Sequence, residues 1–314
     1  MEDSLMNKLV FSEEGKFKVL QFTDIHFSDN NQVDQDTVQL MKKILEEEKP
    51  DFIMITGDTV YGENNVAYLP LALEPVIASG IPFTYAFGNH DTEDGADYET
   101  LFSVITALPN CMAYHDETSK VGMGNHMLEV VDQKGQVKWV IAGMDSGNYN
   151  PMTHMGGYAY VKREQIEWYQ NKMKQYEAKN PNFSALLFMH IPLPEYDEVW
   201  DKEICYGSKR EGICSPKINS GFFAAMQEVG HTKGVFVGHD HINDFYGDLY
   251  GITLGYGRAT GYNTYGQEDF LRGARIFVLD EKDTEHFETY IRLSDGTVIK
   301  EPEIHMPQYK RDHE

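Results

Sequence analysis

Asp24 and His26 stand two residues apart directly after an alternating, strand-like segment, and His239 and His241 repeat that spacing after another apolar run. Between them come Gly57-Asp58, Gly88-Asn89-His90-Asp91 and His190, each again at the end of a short apolar stretch. Carboxylate oxygen, imidazole nitrogen and amide oxygen together suit first-row divalent or trivalent ions. No cysteine takes part, which argues against a structural thiolate zinc site. At an extended strand end an i, i+2 pair projects both side chains to one side. The glycines before Asp58, Asn89 and His239 allow tight turns and close backbone approach.

Taken singly, each piece has an ordinary structural reading. Asp-x-His is commonly a turn with a surface histidine, Gly-Asp a turn, Gly-Asn-His-Asp a loop with an Asx turn, and His190 a hydrogen-bonded core histidine. Together they are harder to dismiss, because α/β folds place their sites at the carboxyl ends of their strands. Five strand ends here deliver acid, amide and imidazole groups to that edge.

The elements that must position them follow from hydrophobic period. Lys16 to Phe22 alternates as a strand, Gln35 to Glu48 is helical with Val38, Met41 and Leu45 on one face, and Asp51 to Thr56 is a short apolar strand. The pattern recurs as a helix from Leu69 to Ala78, a strand from Pro82 to Phe87 and a helix from Asp97 to Leu108, before Pro109. His126 to Val131 and Val137 to Met144 flank Asp132-Gln133-Lys134-Gly135 as an antiparallel hairpin. A helix from Arg163 to Ala178, buried strands from Ala185 to Met189 and Gly234 to Val237, and a β-rich tail (Tyr250 to Leu254, Ala274 to Leu279, His286 to Arg292) complete the reading. Strands feeding helices imply a parallel core, and the hairpins make the sheets mixed. With no repeat, low-complexity tract or linker, residues 1–314 read as one domain.

Lys and Arg total 27 against 50 Asp and Glu, a formal net charge of -23. Such a surface repels polyanions unless bound cations reverse the local field, so nucleic acid is not an expected partner. The three cysteines, Cys111, Cys205 and Cys214, are too scattered for a disulfide framework. No apolar run reaches the roughly 18 to 20 residues of a membrane span. Met1 to Lys8 lacks the tripartite form of a signal peptide, which favours a cytoplasmic location.

The order Asp-x-His, Gly-Asp, Gly-Asn-His-Asp, His, Gly-His-x-His resembles the calcineurin-like metallophosphoesterases, and the motifs span Asp24 to His241. The stretches Phe188 to Tyr196, Asn219 to Phe223 and Gly238 to Phe245 are similar to the branch with fungal cell-cycle phosphatases and short plant probable purple acid phosphatases. The resemblance implies a four-layer αββα sandwich of two mixed sheets. It implies two metal ions (Mn, Fe or Zn), one held by Asp24, His26 and His241 and the other by Asn89, His190 and His239, with Asp58 bridging. It also implies that His90 faces the substrate and that Asp91 orients its imidazole. The activity implied is attack of a metal-bridging hydroxide on a phosphate ester, with the monoester of a small metabolite or phosphoprotein preferred. A phosphodiester or nucleotide hydrolase on the same centre, and a non-catalytic scaffold, are the alternatives; a scaffold would be expected to lose His90 or a ligand first.

Asp58 is followed by Thr59-Val60-Tyr61, giving the Gly-Asp-x-x-Tyr of true purple acid phosphatases, whose tyrosine binds ferric iron and whose first motif is Asp-x-Gly. Here His26 occupies that first motif and competes with Tyr61 for one coordination position. Tyr149, Tyr196, Arg258 and Tyr262 are candidates to line the substrate pocket. Arg258 has the planar fork to hold a phosphate, or equally to pair with one of the many carboxylates.

Overall fold

The structure is a computed structural model that describes residues 8–307. The leader expectation on Met1 to Lys8 therefore falls almost entirely outside the described residues. The first part of the chain runs β1 (Leu9–Val10), β2 (Lys16–Phe22), α1 (Gln32–Glu48), β3 (Phe52–Thr56), α2 (Asn65–Ala72), α3 (Glu74–Ser79), β4 (Phe83–Ala86) and α4 (Tyr98–Thr106). The middle adds the hairpin β5 (His126–Val131) and β6 (Val137–Gly143), then α5 (Arg163–Lys179), β7 (Ser184–Phe188), α6 (Glu195–Lys202), β8 (Cys205–Tyr206), α7 (Phe222–Val229) and β9 (Thr232–Val237). The last part is all β: β10 (Tyr246–Leu249), β11 (Ile252–Tyr256), β12 (Gly273–Asp280), β13 (Glu288–Leu293), β14 (Val298–Ile299) and β15 (Ile304–His305).

Two mixed sheets result, flanked by helices as expected. One has the order β14-β13-β12-β2-β3-β4 and the other β1-β5-β6-β7-β9-β11-β10-β8-β15. In their parallel centres, β2-β3-β4 and β6-β7-β9-β11, helices form the crossovers up to β9, and the β10 strand links β9 to β11. Both faces of the central strands are buried, and alternate residues go to different cores. Val19, Phe52, Met54, Leu186 and Phe188 pack between the sheets, whereas Leu20, Ile53 and Ile55 meet the α1 side and Ala185 and Leu187 the α5 side.

Local chemistry explains where elements start and stop. Asn31 caps α1 by accepting from Val33 and Asp34 N–H, while the Asp34 carboxylate accepts from Asn31 N–H. The helix expected over Leu69 to Ala78 is two, broken at Leu73. Pro75 has no N–H to donate and its ring would crowd the carbonyl of residue 71, so a new helix starts with proline in its first turn. The strand expected from Tyr250 begins at Ile252, because Tyr250 (φ 53°) and Gly251 (φ 84°) form a two-residue turn joining β10 to β11. The cysteines are free. No helix among the described residues is long and apolar enough to cross a membrane.

One buried histidine couples the two sheets. His126 on β5 meets the Thr84 hydroxyl on β4 at 2.6 Å through Nε2 and the Gly124 carbonyl at 2.6 Å through Nδ1. Burial pushes its imidazole down to about 4. The unfolded chain protonates it near 6.5, so the unfolded state binds more protons and stability falls as pH drops from about 6.5 to 4. At 1.36 kcal/mol per pH unit the loss is about 3 kcal/mol. Urea unfolding at pH 7 and pH 4.5 is expected to show this slope in the wild type and to lose it in His126→Leu; equal slopes would exclude the assignment.

Candidate metal centre

The motif-bearing loops leave both sheets at one seam. Asp24, Asp58 and Asn89 follow β2, β3 and β4 of the smaller sheet, whereas His190, His239 and His241 follow β7 and β9 of the larger one. Backbone hydrogen bonds zip the loops together: Asp24 N to Gly57 O (3.1 Å), His26 N to Asp58 O (2.9 Å) and Gly238 N to His190 O (3.1 Å). Across the seam, His239 N–H donates to Asp24 Oδ1 at 3.1 Å. A Cβ on Gly88 would collide with the Asp58 carboxylate, and one on Gly238 with the Thr23 hydroxyl and Asp24. Only glycine permits that approach.

Asp24 and His26 do meet, while His239 sides with His190 and His241 with Asp24, and the backbone that places them is not the extended one expected. Asp24 (φ 53°), His26 (φ 51°), Asp58 (φ 48°) and His239 (φ 77°) all lie in the left-handed region. Such backbone costs on the order of 1 kcal/mol or more per residue and persists where surrounding contacts impose it.

The side chains form two groups that share one member. Asp24, His26, Asp58 and His241 bring ligand atoms within 4.8 Å of one another, and so do Asp58, His190 and His239. All are buried. His190 donates Nδ1–H to Thr56 O at 2.7 Å, which leaves its Nε2 facing Asp58 Oδ2 at 3.1 Å. Thr264 likewise engages His241 Nδ1, leaving Nε2 3.4 Å from Asp24 Oδ1. Second partners of this kind fix the tautomer and aim of metal-ligating imidazoles.

The donors fit cations. His26 Nε2, Asp58 Oδ2 and Asn89 Oδ1 are buried without a hydrogen-bond partner, and Asp58 Oδ2 stays so despite its closeness to His190. His239 Nδ1 and His190 Nε2 lie 3.3 Å apart, a distance at which two lone pairs repel unless a proton or a cation stands between them. The electrostatics agree. Burial favours neutral His190, but the Asp58 carboxylate outweighs it and pushes the imidazole up to about 10. Burial and the His190 charge then push His239 down to about 3. Burial raises the Asp24 carboxyl, yet the His241 hydrogen bond and neighbouring imidazoles hold it down at about 2. The cluster attracts positive charge.

A family model described as calcineurin-like phosphoesterase matches residues 17–243. The chain belongs to the calcineurin-like phosphoesterase family. It is 35% identical to the Arabidopsis thaliana protein named "probable inactive purple acid phosphatase 29", over 87% of this chain and 79% of that one. It is 27% identical to the phosphatase DCR2 of Saccharomyces cerevisiae, over 77% of this chain and 47% of that one. Among solved structures, a dimetal phosphatase from Danio rerio superposes with a TM-score of 0.61 at 12% identity, covering 92% of this chain and 98% of that chain. The likeness establishes the fold. Calcineurin-like phosphoesterases use dinuclear metal centres, and the two groups sharing Asp58 match that requirement.

Around this phosphoesterase centre, several expected pocket residues do other work. Asp91 does not orient His90: its carboxylate accepts from the backbone N–H groups of Gly88, Asp58, Thr59 and Val60 at 2.8 to 3.1 Å. It braces the loop after β3 against the loop after β4. Burial and the Asp58 charge push it up to about 6, while those N–H donors pull the other way. Tyr196 is fully buried, its hydroxyl bonded to Val235 O at 2.8 Å and Gly255 O at 3.2 Å, so it cannot meet a substrate. Arg258 is buried as well, paired with Asp244 and laid over Phe270. A buried guanidinium needs such a fixed partner, and with Nε donating to Leu271 O and Nη1 to Asp244 it is held in the core. Tyr262 lines a surface cleft with Asp36, Leu40 and Lys43. Tyr61 and Tyr149 remain near the centre: the Tyr61 ring lies 6.3 Å from His26 and 5.3 Å from His90, and Tyr149 donates its hydroxyl to Glu93. The sequence reading passed over Glu93 and Thr264; for Glu93 the available signal was its place three residues after His90.

Proposed function

We propose that this chain is a phosphoesterase that works with two metal ions and hydrolyses phosphomonoesters, either a small metabolite or a phosphorylated protein side chain. The observation that carries the reading is Asp58, the shared member of both ligand groups. Asp24, His26 and His241 would hold one ion, Asn89, His190 and His239 the other, and Asp58 both. Bound there, two cations supply Lewis acidity toward phosphate oxygens and acidify a water. They also reverse the field of a chain with net charge -23, so that an anionic substrate can approach. His90, with its ring 5.3 Å from that of His26, stands at the margin and holds the proton for the departing oxygen. The yeast relative named as a phosphatase supports the monoester class.

A non-catalytic reading has one specific observation in its favour, the word "inactive" in the names of the plant relatives. The case for catalysis rests on this chain's own seven donors and His90. Elemental analysis after chelator-free purification, joined to hydrolysis of a panel of mono- and diesters under Mn, Zn and Fe, separates the readings. Two ions with monoester preference is the expected result. Diester preference would move the chain to the alternative activity, and two ions without turnover of any ester would make it a scaffold.

The same reading makes His26, rather than Tyr61, a ligand. Tyr61 is 44% exposed, whereas His26 is buried within the ligand group, and a phenol needs a strongly acidic ion such as Fe(III) to ionise at neutral pH. Tyr61→Phe is expected to keep both metals and most of the activity. A tyrosinate-to-iron charge-transfer band in the iron-loaded, oxidised protein that disappears in Tyr61→Phe would reverse this assignment.

A further inference from the structure

We infer that Glu93 is the residue that positions His90, with Tyr149 holding Glu93 in turn; the inference rests on the phosphoesterase reading above. With Asp91 consumed by four backbone N–H groups, another group must fix the His90 ring. Glu93 follows three residues later on a turn closed by Glu93 N to His90 O at 3.3 Å. Its Oε2 takes His90 Nδ1, and its Oε1 accepts the Tyr149 hydroxyl at 2.9 Å. Both carboxylate oxygens are therefore engaged, and the carboxylate cannot swing away without breaking the tyrosine contact.

The support continues to the metal centre. Tyr149 stacks on Tyr158 (5.9 Å, 22°), and Tyr158 stands edge-on to His239 (4.3 Å, 90°). The His90 ring also meets His26 at 5.3 Å and Tyr61 at 5.3 Å. The His90 backbone N–H is itself held by Asp58 Oδ1 at 2.8 Å. With Nδ1 committed to Glu93, Nε2 is the ring nitrogen left to meet the substrate, as in other sites where a carboxylate sets an imidazole's tautomer and aim.

The contact is poorly placed to serve stability. The His90 and Glu93 side chains are 28% and 32% exposed, a setting in which an ion pair contributes little to folding. Its consequence falls on turnover, and most of all where the leaving group needs a proton.

The test uses the full chain loaded with Zn, comparing wild type, Glu93→Gln and Tyr149→Phe. Glu93→Gln is expected to lower kcat by about 10- to 100-fold, the usual cost of removing such a supporting partner. KM, metal content and Tm should stay close to wild type. The loss should be larger for glycerol 2-phosphate, an alkyl ester, than for 4-nitrophenyl phosphate, whose leaving group needs no proton. Tyr149→Phe should shift kcat the same way by less. A second readout needs no turnover: the low-field imidazole N–H signal in the proton NMR spectrum, assigned to His90 by its loss in His90→Gln, should vanish in Glu93→Gln. An unchanged signal, or a kcat loss equal for both esters, would overturn the inference. A wild type inert toward every ester would instead sink the phosphoesterase reading, and the NMR signal would still decide whether Glu93 holds His90.

Discussion

Asp58→Ala is expected to empty both metal positions at once, the largest effect of any single substitution in this chain. Asp58 belongs to both ligand groups, whereas Asp24, His26, His241, His190 and His239 each belong to one. Its burial resists a charge, yet His190 and His26 hold the carboxyl well below the usual carboxylate range. Removing it leaves two incomplete sites and separates the ions' shared anchor from both. If the ions supply several kcal/mol of transition-state stabilisation, at 1.36 kcal/mol per tenfold the activity should fall by at least about 10³. Elemental analysis should find two ions per chain in the wild type and neither at full occupancy in the variant. Asp58→Asn guards against misfolding, since an amide oxygen can still accept the His90 N–H while lacking the charge two cations require. If Asp58→Ala retained one tightly bound ion, the shared-ligand assignment would be wrong.

The residues that gather in the two groups stood out in the sequence because their types are unusual at strand ends and recur there five times. What the sequence could not convey is how the loops hold those residues. The left-handed backbone at Asp24, His26, Asp58 and His239 is held by loop-to-loop hydrogen bonds across distant segments, at residues that enter that region more readily than other non-glycine types but still uncommonly. Asp91 and Glu93 exchange the roles that adjacency suggests. Asp91 neighbours His90 in the chain but is turned inward onto four N–H groups, and the turn that does so carries Glu93 out to the imidazole. Arg258 takes the carboxylate partner that its sequence equally allowed, and Tyr196 turns its hydroxyl to core carbonyls, because a polar side chain reads the same in sequence whether its partner is a substrate or a group in the core. The sheets' period was readable, while the breaks at Leu73 and Tyr250-Gly251 depended on proline crowding and a two-residue turn between strands not both recognised.

His90→Ala is expected to separate catalysis from metal binding. The ring contributes no atom to either ligand group, and the bond that ties His90 to the centre, to Asp58 Oδ1, comes from the backbone and survives the substitution. The ring is also partly exposed and paired only at the surface, so its loss should cost about 1 kcal/mol or less in stability and shift Tm by no more than a few degrees. Turnover should respond very differently. A positioned proton donor contributes about 10² to 10⁴, equivalent to roughly 3 to 5 kcal/mol, several times the expected stability cost. That disparity makes the experiment decisive: kcat on the best ester, metal content and Tm are measured on one preparation. Intact metals and fold with kcat reduced by at least about 10² would assign the proton to His90. Unchanged kcat would hand that role to another group, and loss of an ion would mean that the imidazole belongs to the ligand shell after all.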